Sequence, residues 1–326
     1  MKRQWKRIAA ICFCLCFASG AFAKRVPFKR MLDIEKVRKY NLDAEFIKET
    51  GDLKIYYRDE NDQVKFLIYH PSNKVDVVVS TTVEKLDGSD SGSGSQSKIQ
   101  RGYRYRYKVA SAKTSQQSMR TMVLEMTTPK TAPMNIKPPK GWYFRRTLNS
   151  KVRNWVRWSG LPRAPHEKST YIAPGAELQN FTLDAPGLPG ILAAYSGGSA
   201  KRNILNEAVE SPGFHANYVK GSVVGPVPEP AVFDAALFAQ YIGGLYDQGV
   251  KLGWVDGDKK TFPVRDRFRK RLFSAIEAAE AGKTAVAKRA FQSVLAETQS
   301  LVKRKLVEPE IDALLTVNIQ YLLERM

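Results

Sequence analysis

Cysteine is almost missing from this sequence: Cys12, Cys14 and Cys16 are the only three in 326 residues, and all fall within the first 23. Beyond them the chain has no disulfide, no thiol nucleophile and no cysteine metal ligand, so the fold must stand on packing alone. Histidine is as scarce. His70, His166 and His215 are far apart with no second ligand at metal spacing, so no zinc site is expected. There is no Walker loop, dinucleotide fingerprint, H-E-x-x-H helix or G-x-S-x-G elbow, and Ser196-Gly-Gly-Ser199 reads as a turn. No carboxylate pair is singled out among the 32 acids. The sequence therefore nominates no catalytic residue, no metal ligand and no cofactor.

Long hydrophobic runs are missing too. The longest, Ile8 to Ala18, is shorter than the roughly 20 residues that span a bilayer. Its context is that of an export signal: Lys2, Arg3, Lys6 and Arg7 precede it, and Ser19-Gly20 and then Ala21-Phe22-Ala23 follow. Residues 1–23 are read as a signal peptide cut before Lys24. No cysteine stands at the cleavage site, so no lipid anchor is expected, and the mature chain has no transmembrane segment. The expected location is the periplasm, the cell surface or the exterior.

Charge of one sign is plentiful, with 52 Lys and Arg against 32 Asp and Glu and a net charge of +20. Removing the four signal-segment cations leaves the chain strongly basic. Such a field favours polyanions. For an exported protein these are anionic polysaccharide, lipid head groups or envelope surfaces, with nucleic acid less favoured.

Patterning divides the chain. Residues 24–98 read as an N-terminal helix, with Met31, Ile34, Val37, Leu42, Phe46 and Ile47 at helical spacing, followed by strands. Leu53 to Tyr57 and Val64 to Ile68 flank the turn Asp59-Glu-Asn-Asp62, a hairpin signature, and Val75 to Val83 makes a third strand. Asp87 to Ser97 is a Gly/Ser-rich loop, and Lys98 stands where a calcium loop needs a bidentate glutamate. Residues 99–200 read as a β-sandwich, with Tyr103 to Val109 and Met119 to Met126 as partner strands. Residues 201–230 read as a Gly/Pro-rich linker ending in Pro226-Val-Pro-Glu-Pro230, and residues 231–326 as a helical bundle. The expected class is α+β multidomain: a β-rich N-terminal half and a small all-α C-terminal bundle.

Candidate ligand residues follow from the cations and aromatics. In Arg101-Gly-Tyr-Arg-Tyr-Arg-Tyr-Lys-Val109, successive strand residues point to opposite faces. Tyr103, Tyr105 and Tyr107 go to the core face, and Arg104, Arg106 and Lys108 project together to solvent. Trp142, Arg145, Arg157 and Trp158 offer indoles beside cations, the pairing that recognises sugar or base faces bearing charge; the alternative is that Trp142 and Trp155 fill the sandwich core and Trp158 caps it. Arg265, Arg269 and Arg271 radiate from a helix that buries Phe268 and Leu272. Together these ten residues are the candidate surface for an anionic ligand. The expected function is a non-catalytic binding or structural module of the envelope or exterior. The alternative is a polysaccharide-active hydrolase or its accessory carbohydrate-binding domain, which would require a cleft holding two carboxylates or a nucleophile.

Several short motifs carry a resemblance. Tyr105-x-Tyr107-x-Val109, Gly141-Trp142 after a proline-rich loop, a later Trp, Ile172-x-Pro-Gly175 and Leu188-Pro-Gly-Ile191 are similar to the immunoglobulin-like module of uncharacterised exported bacterial proteins. The resemblance covers about Tyr103 to Tyr195 and implies a sandwich without assigned catalytic residues. Ala278 to Gly282 and Leu314 to Leu323 resemble the helical domain appended to bacterial surface proteins.

Overall fold

The computed structural model describes residues 43–47, 52–58, 63–69, 75–86, 102–127, 133–149, 153–160, 170–198, 218–255 and 262–326. Residues 1–42 with the three cysteines, the stretches Asp59 to Asp62 and Asp87 to Ser97, and the three histidines lie outside the described residues. The chain divides into two units, one of residues 1–72 and 200–217, the other of residues 73–199 and 218–326.

The first unit contains an antiparallel sheet of β1 (Asp43–Ile47), β2 (Asp52–Arg58) and β3 (Val64–Tyr69), in that order. The hairpin of β2 and β3 falls where the acidic turn predicts it, with Leu53 opposite Tyr69 and Arg58 opposite Val64. β1 corrects the sequence reading, which carried a helix through Leu42, Phe46 and Ile47. The acids Asp43 and Glu45 alternate with Ala44 and Phe46, a two-residue period that suits a strand. The helical spacing drawn through those positions was too sparse to prevail.

The second unit is a two-sheet sandwich joined to four helices. One sheet orders β4 (Val77–Leu86), β5 (Gly102–Ser111), β10 (Glu177–Ala185) and β7 (Met134–Lys137). The other orders β12 (Val219–Val227), β11 (Leu188–Gly198), β6 (Met119–Met126), β9 (Arg153–Ser159) and β8 (Tyr143–Asn149). All pairings are antiparallel. Thus β5 and β6 are not partners. β5 lies between β4 and β10, and the turn after it carries the chain across to the opposite sheet, an exchange that alternation alone cannot reveal. A second correction is β12, a full strand with Pro226 inside it, in a stretch that composition marks as loop.

The sandwich core forms because each strand turns one apolar face inward. Tyr105, Tyr107, Val109, Phe181 and Leu183 come from one sheet, and Met122, Leu124, Val156 and Trp158 from the other. Trp158 is fully buried, with its ring centroid 5.9 Å from that of Tyr107 and 6.0 Å from that of Phe181. Trp142 meets Phe181 edge to face at 5.0 Å. Such pairs add roughly 0.5–1.5 kcal/mol each beyond area burial. The Tyr105 hydroxyl donates to the Gly187 carbonyl at 2.7 Å, and burial raises both the Tyr105 and Tyr107 phenols well above their ordinary range.

The helices are α1 (Ala235–Lys251), α2 (Phe262–Glu280), α3 (Thr284–Lys303) and α4 (Pro309–Arg325). Asp234 caps α1 by accepting the Leu237 N–H. Gly282, at φ +68°, makes the left-handed turn between α2 and α3, where Lys283 N–H bonds the Ala278 carbonyl. Pro309 opens α4. Each helix packs on the next, and α4 closes back on α1.

The helices are not strung from the sandwich on a spacer. α4 packs on β4, β11 and β12, and one continuous core runs through both parts. Two buried polar side chains of α4 fix this contact. Glu310 accepts the Thr81 N–H at 2.6 Å, and the Asn318 side-chain amide donates to the carbonyls of Pro189 at 2.9 Å and Leu314 at 2.7 Å.

Candidate basic surface

The outer face of the four-stranded sheet carries the cations of the alternating stretch. Register sets Glu84, Arg104 and Asp184 side by side across β4, β5 and β10. Arg104 grips both oxygens of Asp184, Nε at 2.8 Å and Nη2 at 3.1 Å, and reaches Glu84 at 3.4 Å. Asn135, in left-handed backbone at φ +46°, adds its amide to Asp184 at 3.1 Å. Arg106 pairs with Glu84 at 2.7 Å and Lys108 with Glu177 at 3.3 Å. The Lys108 ammonium and the Gln179 amide hold the exposed Glu177 carboxyl below its usual value, the Gln179 bond being the larger cause. Each candidate cation here already has an acid. The face is a lattice of ion pairs, most of them solvent-exposed, where a pair contributes up to about 1 kcal/mol.

The two nominated tryptophans present no ring to a ligand. Trp142 and Trp158 are both core residues. In the helices, Arg269 reaches both oxygens of Asp247 at 3.2 and 3.3 Å and stacks 4.2 Å from the Phe273 ring, while Arg271 pairs with Glu297 at 2.8 Å. Arg265 lines a small apolar pocket with Tyr246, Phe268, Leu301, Leu306 and Val307. Burial there pushes the Tyr246 phenol up to about 12, and its oxygen has no hydrogen-bond partner.

The outer face of the five-stranded sheet is different. Lys220, Tyr195, Val123, Arg157 and Arg145 are successive cross-strand partners, one from each of β12, β11, β6, β9 and β8. They lie on the face of the sheet opposite the inward Trp158; at its centre Val123 is fully buried, Tyr195 and Arg157 are half-buried, and Lys220 and Arg145 at the two ends are exposed. At strand spacing the row runs roughly 19 Å. Arg145 and Arg157 sit directly opposite each other on adjacent strands. The next row sets Glu125, Trp155 and Thr147 together, and Glu125 accepts the Tyr195 hydroxyl at 2.7 Å.

The row brings together two nominated residues, Arg145 and Arg157, and adds Lys220 and Tyr195, which the sequence reading passed over, while Trp155, read there as a core filler, stands half-buried in the next row. In Asn154-Trp-Val-Arg-Trp158 the two-residue period already placed Trp155 with Arg157 and Trp158 on the other side. The signal was present and the wrong indole was singled out. Tyr195 and Lys220 needed the pairing of β11 with β12.

Comparison with known proteins adds little to this geometry. No family model matches the chain, and no curated protein does. Among solved structures, an uncharacterized protein from Nocardia farcinica, described as having an immunoglobulin-like fold, aligns with a TM-score of 0.24 and 15% identity. The alignment covers 46% of this chain and 99% of that one.

Proposed function

We propose that this protein is a non-catalytic exported module of the cell envelope or exterior that binds an anionic partner across the outer face of its five-stranded sheet. The observation that carries the reading is the row Lys220, Tyr195, Arg157 and Arg145 with Trp155 beside it. Cations spaced along a rigid strand row meet successive charges of a linear polyanion. Aromatic rings among them offer faces for stacking, so affinity does not rest on charge alone. The basic net charge supports the same reading by drawing anions to the surface.

The test is binding of the purified chain to an acidic polysaccharide, anionic vesicles and single-stranded DNA at low and physiological salt. Combined Arg145→Gln, Arg157→Gln and Lys220→Gln should weaken the retained class at least tenfold. Combined Arg106→Gln and Lys108→Gln should leave it within about twofold. Equal losses from both sets would sink the assignment to this face.

A further inference from the structure

The sandwich has four sheet edges, and three are closed. β4 is covered by α4, whose Glu310 takes the Thr81 N–H. β7 is only four residues long, has an irregular register against β10 and runs into Pro138-Pro139. β12 contains Pro226 and lies against β4 and α4. β8 has none of these devices. It is seven residues long without proline, and every residue from Tyr143 to Asn149 pairs in unbroken register with β9. Among the described residues, no strand or helix packs along its outer edge.

An open edge of this kind is a template for an added strand. The side chains of β8 say which strand. Phe144 and Arg146 share one face and Arg145 the other. Phe144 is 38% exposed, unusual for an aromatic whose register partner Trp158 is fully buried. Among the described residues Arg145 has no anionic partner, and Arg146 spends one N–H on the Pro133 carbonyl at 2.8 Å. A second copy of β8 paired antiparallel over the full strand would set Arg146 against its own mate, so the edge resists self-association.

We propose that β8 is an acceptor edge for an extended acidic segment of another protein, which adds antiparallel as a sixth strand. Read N to C, the incoming strand places an acidic residue opposite Arg146, a second opposite Arg145 and an apolar residue opposite Phe144. Backbone hydrogen bonds supply affinity, and the acid-acid-apolar order supplies direction. The inference shares Arg145 with the polyanion row but rests on the backbone of β8, and it stands without that reading.

The experiment uses the full purified chain and the peptide Thr-Val-Glu-Glu-Val-Thr-Val, with two controls: a lysine version, and a version N-methylated at alternate amides. The glutamate peptide should bind at physiological salt and slow amide exchange in β8 at least tenfold. The N-methylated peptide keeps every charge and should lose binding. Combined Arg145→Glu and Arg146→Glu should lower glutamate-peptide affinity at least tenfold and admit the lysine peptide. Equal binding of the N-methylated and unmodified peptides would overturn the proposal, because charge alone would then explain the contact. Absence of binding or of β8 protection overturns it as well. Combined Arg157→Gln and Lys220→Gln separates the two readings: it weakens polyanion binding and leaves the peptide in place.

Discussion

Glu310 and Thr81 are 229 positions apart, and the carboxylate of one accepts the backbone N–H of the other at 2.6 Å. The glutamate is 2% exposed, at the first turn of α4. The threonine is in β4, where its N–H faces away from the sheet. One side chain thus fastens the helices to the sandwich and closes an edge strand.

Burial of this carboxyl makes stability depend on pH. Burial pushes the Glu310 carboxyl up to about 7, and the negative charge of Glu308 adds to it, while N–H bonds from Thr81 and from its own backbone pull the other way. A carboxyl whose native value is raised binds more protons folded than unfolded. Its contribution is full below the ordinary carboxylate range and is lost as pH rises through about 7. The melting temperature should therefore fall between pH 5 and pH 8. In Glu310→Gln, which keeps the acceptor and loses the proton, that fall should shrink. Parallel curves for the two proteins would disprove the account.

Asn318 gives a second test of the same contact. Its amide bonds two carbonyls, and its own oxygen has no partner. Asn318→Asp would place a buried carboxylate against those carbonyls and should destabilise by about 3 kcal/mol or more. Asn318→Leu should cost about 1–3 kcal/mol, since only the donor is lost. Urea unfolding midpoints read both, and a milder effect of aspartate than of leucine would contradict the burial.

Trp158 separates core from ligand roles. Trp158→Ala should cost about 3–5 kcal/mol and reduce the near-ultraviolet circular dichroism of the Tyr107 and Phe181 cluster. A variant that keeps full stability and loses polyanion binding would restore Trp158 to the ligand surface.

On the ion-pair lattice, position decides the effect. Asp184 is buried and holds Arg104 and Asn135, so Asp184→Ala should cost about 2–4 kcal/mol by taking from a half-buried guanidinium its bidentate acid and leaving it the longer contact to the exposed Glu84. Arg106→Gln and Lys108→Gln should each change stability by less than about 0.5 kcal/mol. Thermal melts of the three variants give the comparison, and similar losses in all three would mean that the exposed pairs matter as much as the buried one.

Two glycines should respond in opposite directions. Gly244 is in the exposed middle of α1, and a Cβ there meets nothing within 4 Å, so Gly244→Ala should stabilise by about 0.5–1 kcal/mol. A Cβ on Gly160 would run into the backbone carbonyl of Thr170, whose N–H donates to the Gly160 carbonyl, so Gly160→Ala should destabilise. Calorimetry on both reads the sign directly.

Elements were legible in the sequence where periodicity ran long. The four helices lie close to the helical segments of the sequence reading, with Gly282 and Pro309 at their boundaries, and β2, β3, β4, β5 and β6 fall where β-branched or alternating patterns put them. What stayed hidden was pairing. Nothing local in Met119 to Met126 tells that it joins the opposite sheet from Tyr103 to Val109, and β12 is masked by glycine and proline that a strand at a sheet edge tolerates. The site was half legible for the same reason. Arg145 and Arg157 stood out as cations, but only register puts them opposite each other and in line with Tyr195 and Lys220. Likewise the acids that claim Arg104, Arg106 and Lys108 come from strands remote in sequence.

The closure of β4 by α4 also sets an order of events. The last sandwich strand ends at Val227 and Glu310 is more than eighty residues further along, so a chain emerging from its amino end completes both sheets well before the helix that seals β4 exists. During that interval a strand bearing Val78 and Val79 is open to strangers. A chain stalled or cut within the helices would keep a finished sandwich with a sticky margin, and any chaperone that attends this protein would have its work there.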